Sequence, residues 1–329
     1  MSRLVVDIGG TSVRIAHQRV DAAQTCDPAA LQDPEVLACA DFATAGDALL
    51  HYCNQYRLDI ELLGLAVAGP VTGAAVDITN NHWQFDAAAL TAAIGARRYL
   101  LVNDFTAQAL AQRDLLQGGV KLSQKHRQIL RRGKGDLSTP LLVIGPGTGL
   151  GVAALVPDGE QVQIIEGEGG HVSYAPRNAA EQAVLADLAA EFGHVSAERI
   201  ISGPGLEAVY YSQTGEKRPA PDIGGLALVG DAAALAAVSL MLQSLATVAA
   251  NAVLSLGARA GVVIAGGIVP KLADLLGDSG FFDRFDDHGR RRSYLETVPI
   301  YLSSDPLGGL RGMAAGFDNP YLSQRIIHV

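Results

Sequence analysis

Short apolar runs separated by alanine-rich stretches organise this chain from its first residues. Leu4-Val5-Val6-Asp7-Ile8 leads into Gly9-Gly10-Thr11-Ser12 and returns as Val13-Arg14-Ile15-Ala16, the signature of a β-hairpin. Further apolar runs at 62–67, 99–102, 141–144 and 261–265 predict strands, and 86–95, 105–116, 180–191 and 231–256 predict helices. Strands alternating with helices indicate an α/β architecture. The polar stretch 124–139, with five Lys/Arg, reads as a surface connection near a domain boundary. A weak internal echo accompanies this order. Leu142-Val143-Ile144-Gly145-Pro146-Gly147-Thr148-Gly149-Leu150-Gly151 repeats the style of the first hairpin, which suggests a duplicated fold with a ligand between the halves, or simply two ordinary hairpins.

Residues 232–258 carry no charge and are long enough to cross a bilayer. Ser239, Gln243, Thr247, Asn251 and Ser255, each four after the last, nevertheless draw a polar stripe along one helical face. A core helix begun by Asp231 and ended near Gly257 explains the pattern better than a membrane span.

Composition narrows the class. At 329 residues, 49% hydrophobic and 18% charged, the chain is globular and long enough for two domains. Its net charge of −9 argues against a nucleic-acid partner. Cys26, Cys39 and Cys53 are odd in number and lack C-x-x-C spacing, so they read as reduced thiols of a cytosolic protein.

Several motifs carry candidate chemistry. A Gly/Thr turn between strands lets backbone N–H groups approach a phosphate. No Walker A motif occurs. Gly149-Leu150-Gly151-Val152-Ala153-Ala154 fits the dinucleotide pattern, yet Pro157-Asp158-Gly159 leaves no room for the helix it requires. Gly266-Gly267 ends a strand and suits either a tight turn or a flat ligand against bare backbone. Asp104, after the strand 99–102, is placed as a helix N-cap or as a carboxylate at a strand's C-terminal end, where α/β proteins bind ligands. Glu168-Gly169-Gly170-His171 offers an acceptor and a donor/acceptor to sugar hydroxyls, or is a solvated loop pair. Glu198 could pair with Arg199 or cap a helix. Gly277-Asp278-Ser279-Gly280 reads as a chance loop.

Taken in order, Asp7-Ile8-Gly9-Gly10-Thr11, Asn103-Asp104-Phe105, the 145–151 turn, Glu168-Gly169-Gly170-His171, Glu198-Arg199 with Ser202-Gly203-Pro204-Gly205, and Ile264-Ala265-Gly266-Gly267-Ile268-Val269-Pro270 resemble the bacterial glucokinase family of actin-like sugar kinases. The likeness runs from Leu4 to about Gly316 and is weakest over 18–41. The neighbouring repressor/open-reading-frame/kinase family carries a cysteine-rich zinc loop, and no cysteine lies beyond Cys53 here. The resemblance implies an α/β, two-domain actin-like ATPase fold, a duplicated ribonuclease H-like unit with the active site in the interdomain cleft. It implies a small domain of 1–114 completed by 307–329 and a large domain of 115–306. The implied activity is ATP-dependent phosphorylation of glucose at its 6-hydroxyl. The resemblance makes Asp104 the general base, and Asn103, Asp104, Glu168, His171 and Glu198 the sugar ligands. Gly9, Gly10, Thr11, Gly147, Thr148 and Gly149 would grip the phosphates, Gly266 and Gly267 would admit adenosine, and Asp7 would orient Mg2+ through water. Another hexose kinase, or a sugar-sensing regulator with little turnover, are the alternatives. No nucleic acid or membrane partner is implied, and a homodimer is among the assemblies it allows.

Overall fold

A computed structural model describes residues 2–19, 30–69, 71, 73–78, 81–117 and 124–329. Cys26 lies outside the described residues, while Cys39 and Cys53 are free and buried. Strands are numbered in chain order: β1 (Ser2–Ile8), β2 (Ser12–Arg19), β3 (Gln32–Ala38), β4 (Ile60–Val67), β5 (Ala75–Asp77), β6 (Gln84–Asp86), β7 (Arg98–Asn103), β8 (Arg127–Arg131), β9 (Leu141–Pro146), β10 (Leu150–Asp158), β11 (Gln161–Gly167), β12 (Gly261–Ile264), β13 (Ile300–Ser303) and β14 (Ile327–His328). One six-stranded sheet runs β14-β7-β4-β1-β2-β3 and a second runs β11-β10-β9-β12-β13-β8. Five strands of the first, β3-β2-β1-β4-β7, follow the same order as five of the second, β11-β10-β9-β12-β13. The duplication suggested by the two glycine turns is therefore a duplication of whole sheets. Each copy adds a different edge, β14 in one and β8 in the other.

The central strands are parallel: β4 pairs with both β1 and β7, and β12 with both β9 and β13. Such strands are covered on both faces, which is why 62–67 and 141–144 read as continuous apolar runs instead of alternating ones. The neighbouring pair β1–β2 is the expected antiparallel hairpin, Ile8 facing Val13.

The chain divides into two compact units, Met1–Lys125 with Leu155–Glu166 and Asp305–Val329, and His126–Ala154 with Gly167–Ser304. The boundaries implied by the family resemblance assign 155–166 to the large domain. In the structure this segment is tied to the C-terminal part of the first unit, where Asn319 donates to the Val162 carbonyl (2.9 Å) and Arg325 pairs with Glu166 (2.6 Å).

Other expectations are refined. The helix predicted over 105–116 spans Asp104–Leu110, and a separate turn of helix follows at Asp114–Gln117. The 124–139 connection contains β8, an edge strand antiparallel to β13, because polar residues suffice where one side of a strand faces solvent. The uncharged segment is the helix Ala232–Leu256, capped by Asp231 (Ala234 N–H, 2.9 Å) and ended by Gly257 at φ 66°. It is apolar enough to cross a membrane, but 67% of its most apolar window is buried within the protein. Its polar stripe is used internally: Gln243 Nε2 donates to the Ser279 carbonyl at 2.7 Å, and Arg284 donates to Gln243 Oε1 at 3.1 Å. Ser279 is buried with its Oγ donating to the Leu276 carbonyl, so the 277–280 segment is a structural turn.

Candidate active site

In the first unit, parallel register decides which residues meet. Ile8 lies beside Val67, and Val67 beside Asn103, so β1, β4 and β7 finish level with one another. Asp7, the turn at Gly9, Gly10 and Thr11, and the pair Asn103-Asp104 therefore share one C-terminal sheet edge, where α/β folds bind ligands. The turn is closed by the Gly9 N–H on the Ser12 carbonyl (3.0 Å) and braced by Asn81 Nδ2 on the Gly9 carbonyl (3.1 Å). A second brace, from the Cys39 N–H to the Thr11 carbonyl (3.0 Å), holds its other side. Asn81 and Cys39 stand far from the turn in sequence and carry no recognisable motif.

The N-cap of the helix Asp104–Leu110 is Asn103, not Asp104. Asn103 Oδ1 accepts the Phe105 N–H at 2.8 Å, and its Nδ2 donates to the Gly69 carbonyl at 3.1 Å. Asp104 is the first helical residue, half-buried, with Oδ1 accepting the same Phe105 N–H at 2.9 Å. Two residues on, Thr106 donates to Glu166 Oε1 at 2.8 Å, fixing the helix that carries the carboxylate.

Asp7 is buried, with 6% of its surface exposed, and Arg14 Nη1 stands 3.5 Å away. Burial raises its pKa above the ordinary carboxylate range and Arg14 opposes that shift. The helix Gly308–Phe317 comes close because it presents glycines: a β-carbon at Gly309 would strike the Asp7 carboxylate, and one at Gly312 the Ala107 carbonyl. No motif marks this helix as part of the site; its glycines carry the only local sign of a close approach.

The second unit repeats the edge. Ile144 pairs with Ile264 and Ile264 with Leu302, so β9, β12 and β13 end together. Beyond them the turn at Gly147, Thr148 and Gly149 is closed by the Gly147 N–H on the Gly149 carbonyl, 2.8 Å. The helix demanded by a dinucleotide fingerprint is absent, since β10 begins at Leu150. Gly266 has φ 81° and leaves no space for a side chain against the Pro146 carbonyl, so it makes the tight turn. Gly267 is exposed and a β-carbon there would meet nothing within 4 Å.

Glu168 precedes and His171 ends a single 3-10 turn, His171 Nε2 lying 3.8 Å from Glu168 Oε2, with 59% of the histidine and 63% of the glutamate side chain exposed. The Ala197 N–H on the Val172 carbonyl (2.8 Å) and the Tyr174 N–H on the Val195 carbonyl (2.9 Å) bring that loop alongside the turn bearing Glu198. Glu198 neither pairs with Arg199 nor caps a helix. Its Oε2 accepts the Leu150 N–H at 2.8 Å, Ser202 caps the following helix, and Arg199 lies over the Phe192 ring at 3.9 Å. Among the described residues no group of three or more His, Cys, Asp or Glu is arranged to hold a metal.

The first unit thus carries a glycine turn and a helix-borne carboxylate at one sheet edge, and the second carries a glycine turn tied to Glu198. Known proteins resemble the chain over nearly its whole length. The glucokinase family model matches residues 4–320. A glucokinase of Neisseria meningitidis is 36% identical over 330 residues, covering 96% of this chain and 95% of the relative. The crystal structure of a glucokinase from an Antarctic psychrotroph superposes with TM-score 0.79 at 30% identity, covering 97% of this chain and 99% of that one. A glucokinase from Streptomyces griseus, solved with glucose and AMPPNP, shares the fold with TM-score 0.62 at 18% identity, covering 98% of this chain and 100% of that one. On a family match of this length and an end-to-end relative at this identity, the chain belongs to the glucokinase family.

Proposed function

We propose that the protein transfers the γ-phosphoryl group of ATP to the 6-hydroxyl of glucose, with Asp104 as general base. The observation that carries the reading is the shared register of Ile8, Val67 and Asn103, which sets a carboxylate and a glycine turn on one sheet edge. Phosphoryl transfer asks the protein mainly for positioning and charge stabilisation. Asp104 accepts the hydroxyl proton while its backbone is held by the Asn103 cap and the Thr106–Glu166 bond. Glu168, His171 and Glu198 orient the remaining hydroxyls. Directional polar partners discriminate stereochemistry because an unmatched buried group costs about 1–3 kcal/mol.

Backbone N–H groups of a glycine turn, beyond those that close it, are the phosphate donors in this reading, and Gly267 leaves open space for the adenosine. Mg2+ keeps most of its waters and needs only one or two protein carboxylates, so the buried Asp7 carboxylate fits a cation that arrives with its phosphates. Asp7 would hold that Mg2+, whose charge would neutralise the phosphates.

A coupled assay of ADP release across glucose, mannose, glucosamine and N-acetylmannosamine tests the assignment. The largest kcat/KM is expected with glucose; a larger value with another hexose reassigns the substrate. Sugar binding with negligible turnover would instead identify a regulator.

A further inference from the structure

The turn that carries Glu198 holds the second glycine turn at both of its ends. At one end Leu150 donates its N–H to Glu198 Oε2 over 2.8 Å; at the other the Gly203 N–H reaches the Gly147 carbonyl at 2.9 Å. The two ties are joined through Ser202, whose Oγ donates to the Glu198 carbonyl (2.8 Å) and accepts the Gly205 N–H (3.0 Å). The fit is close enough to dictate sequence, because a β-carbon at Gly149 would overlap Glu198 Oε2. Oε2 is thus committed to the turn, while Oε1 has no hydrogen-bonding partner among the described residues.

We infer that Glu198 is a positioning residue for the nucleotide as well as a ligand of the sugar. Its Oε2 fixes the backbone of 147–149 in the shape that receives a phosphate, and its Oε1 takes a sugar hydroxyl; the second half of this statement rests on the glucokinase reading. One carboxylate then belongs to both sites. A sugar hydroxyl on Oε1 immobilises the side chain, so less remains to be ordered when the phosphate arrives on the turn. Linkage requires the reverse as well: the nucleotide must tighten sugar binding by the same factor. Glu168, which makes no such bond to the turn, lacks this second duty.

Calorimetry on the full chain with Mg2+-AMPPNP, with and without glucose, tests the inference. In the wild type each ligand is expected to tighten the other. Glu198→Ala should weaken AMPPNP binding at least about 10-fold in the absence of any sugar, the scale of a lost hydrogen bond to a charged group, and should abolish the mutual tightening. Glu198→Gln keeps an acceptor for the Leu150 N–H, so it should restore sugar-free AMPPNP affinity while glucose affinity stays low. Gly149→Ala, which pushes the carboxylate away from the opposite side, should reproduce the nucleotide loss with Glu198 intact. Should Glu198→Ala fail to fold, Glu198→Gln and Gly149→Ala decide the question between them. Sugar-free AMPPNP affinity that is unchanged in Gly149→Ala, and in Glu198→Ala where that variant folds, overturns the inference. A wild type that binds AMPPNP but no glucose overturns the glucokinase reading instead, and leaves the sugar-free nucleotide comparison still decisive for the Oε2 tie.

Discussion

Gly309 approaches Asp7 so closely that a β-carbon at position 309 would overlap the carboxylate oxygen. The contact joins residues from opposite ends of the chain, and it makes the placement of Asp7 depend on the C-terminal helix. Gly309→Ala must move the carboxylate or the helix. Overpacking of this kind costs about 1–3 kcal/mol, so a lower Tm is expected together with a weakened kcat/KM for Mg2+-ATP. Normal ATP kinetics in a folded Gly309→Ala protein would separate Asp7 from the nucleotide site.

Asp7 should trade stability for function. Its folded pKa is raised by burial, so between the ordinary carboxylate value and that raised value the folded protein binds more protons than the unfolded chain. Stability contributed by the protonated form is therefore lost as pH rises through this window, and the full cost of a buried charge remains above it. Asp7→Asn removes the titration. Its Tm advantage over the wild type should grow as pH rises through the window, while Mg2+-ATP turnover falls. Thermal melts of both proteins from acid to neutral pH read the sign directly.

Asp104→Asn keeps the shape of the side chain and removes its capacity to accept a proton. A fall in kcat of about 100-fold or more is expected, with glucose affinity retained. Near-normal turnover would reject Asp104 as the base.

The Asn103 side chain is committed to the protein on both of its polar atoms. Asn103→Ala should lower stability by about 1 kcal/mol as a lost N-cap and also reduce kcat, because the cap orients the helix that begins at Asp104. Asn103→Asp, which can still cap, should recover the Tm more than the activity. Chemical denaturation alongside steady-state kinetics distinguishes the two effects.

Glu168 and His171 are exposed and, among the described residues, make no bond to the glycine turns, so their effect should fall on the sugar alone. Glu168→Ala is expected to raise the Kd for glucose about 10-fold, the scale of a lost charge-assisted hydrogen bond, while sugar-free AMPPNP affinity is unchanged. A matching loss of nucleotide affinity would place Glu168 in the same double role as Glu198.

Much of this site is written locally. A strand that breaks into Gly9-Gly10-Thr11 and returns as Val13-Arg14-Ile15-Ala16 can do little but make a hairpin, and Asn103-Asp104 between an apolar run and an alanine-rich helix can do little but start that helix. The same holds for the uncharged helix Ala232–Leu256, whose caps and polar stripe are visible as residues four apart. These features follow from turn chemistry and side-chain periodicity, which act over a few neighbouring residues.

Other features have no local cause. Asn103 and Asp104 are both good caps, and the choice fell to Asn103 once its Nδ2 could reach the Gly69 carbonyl. Glu198 beside Arg199 suggests an ion pair, yet the Leu150 N–H, 48 residues earlier, takes the carboxylate and Phe192 takes the guanidinium. Nothing local says that positions 149 and 309 must stay bare of a side chain until Glu198 and Asp7 are packed against them. The order of strands and helices, the two glycine turns and the carboxylates available to them are thus all present in the primary structure. Which carboxylate oxygen faces which backbone N–H is settled only on folding, because those distances depend on the packing of segments far apart in the chain, and no short-range preference encodes them.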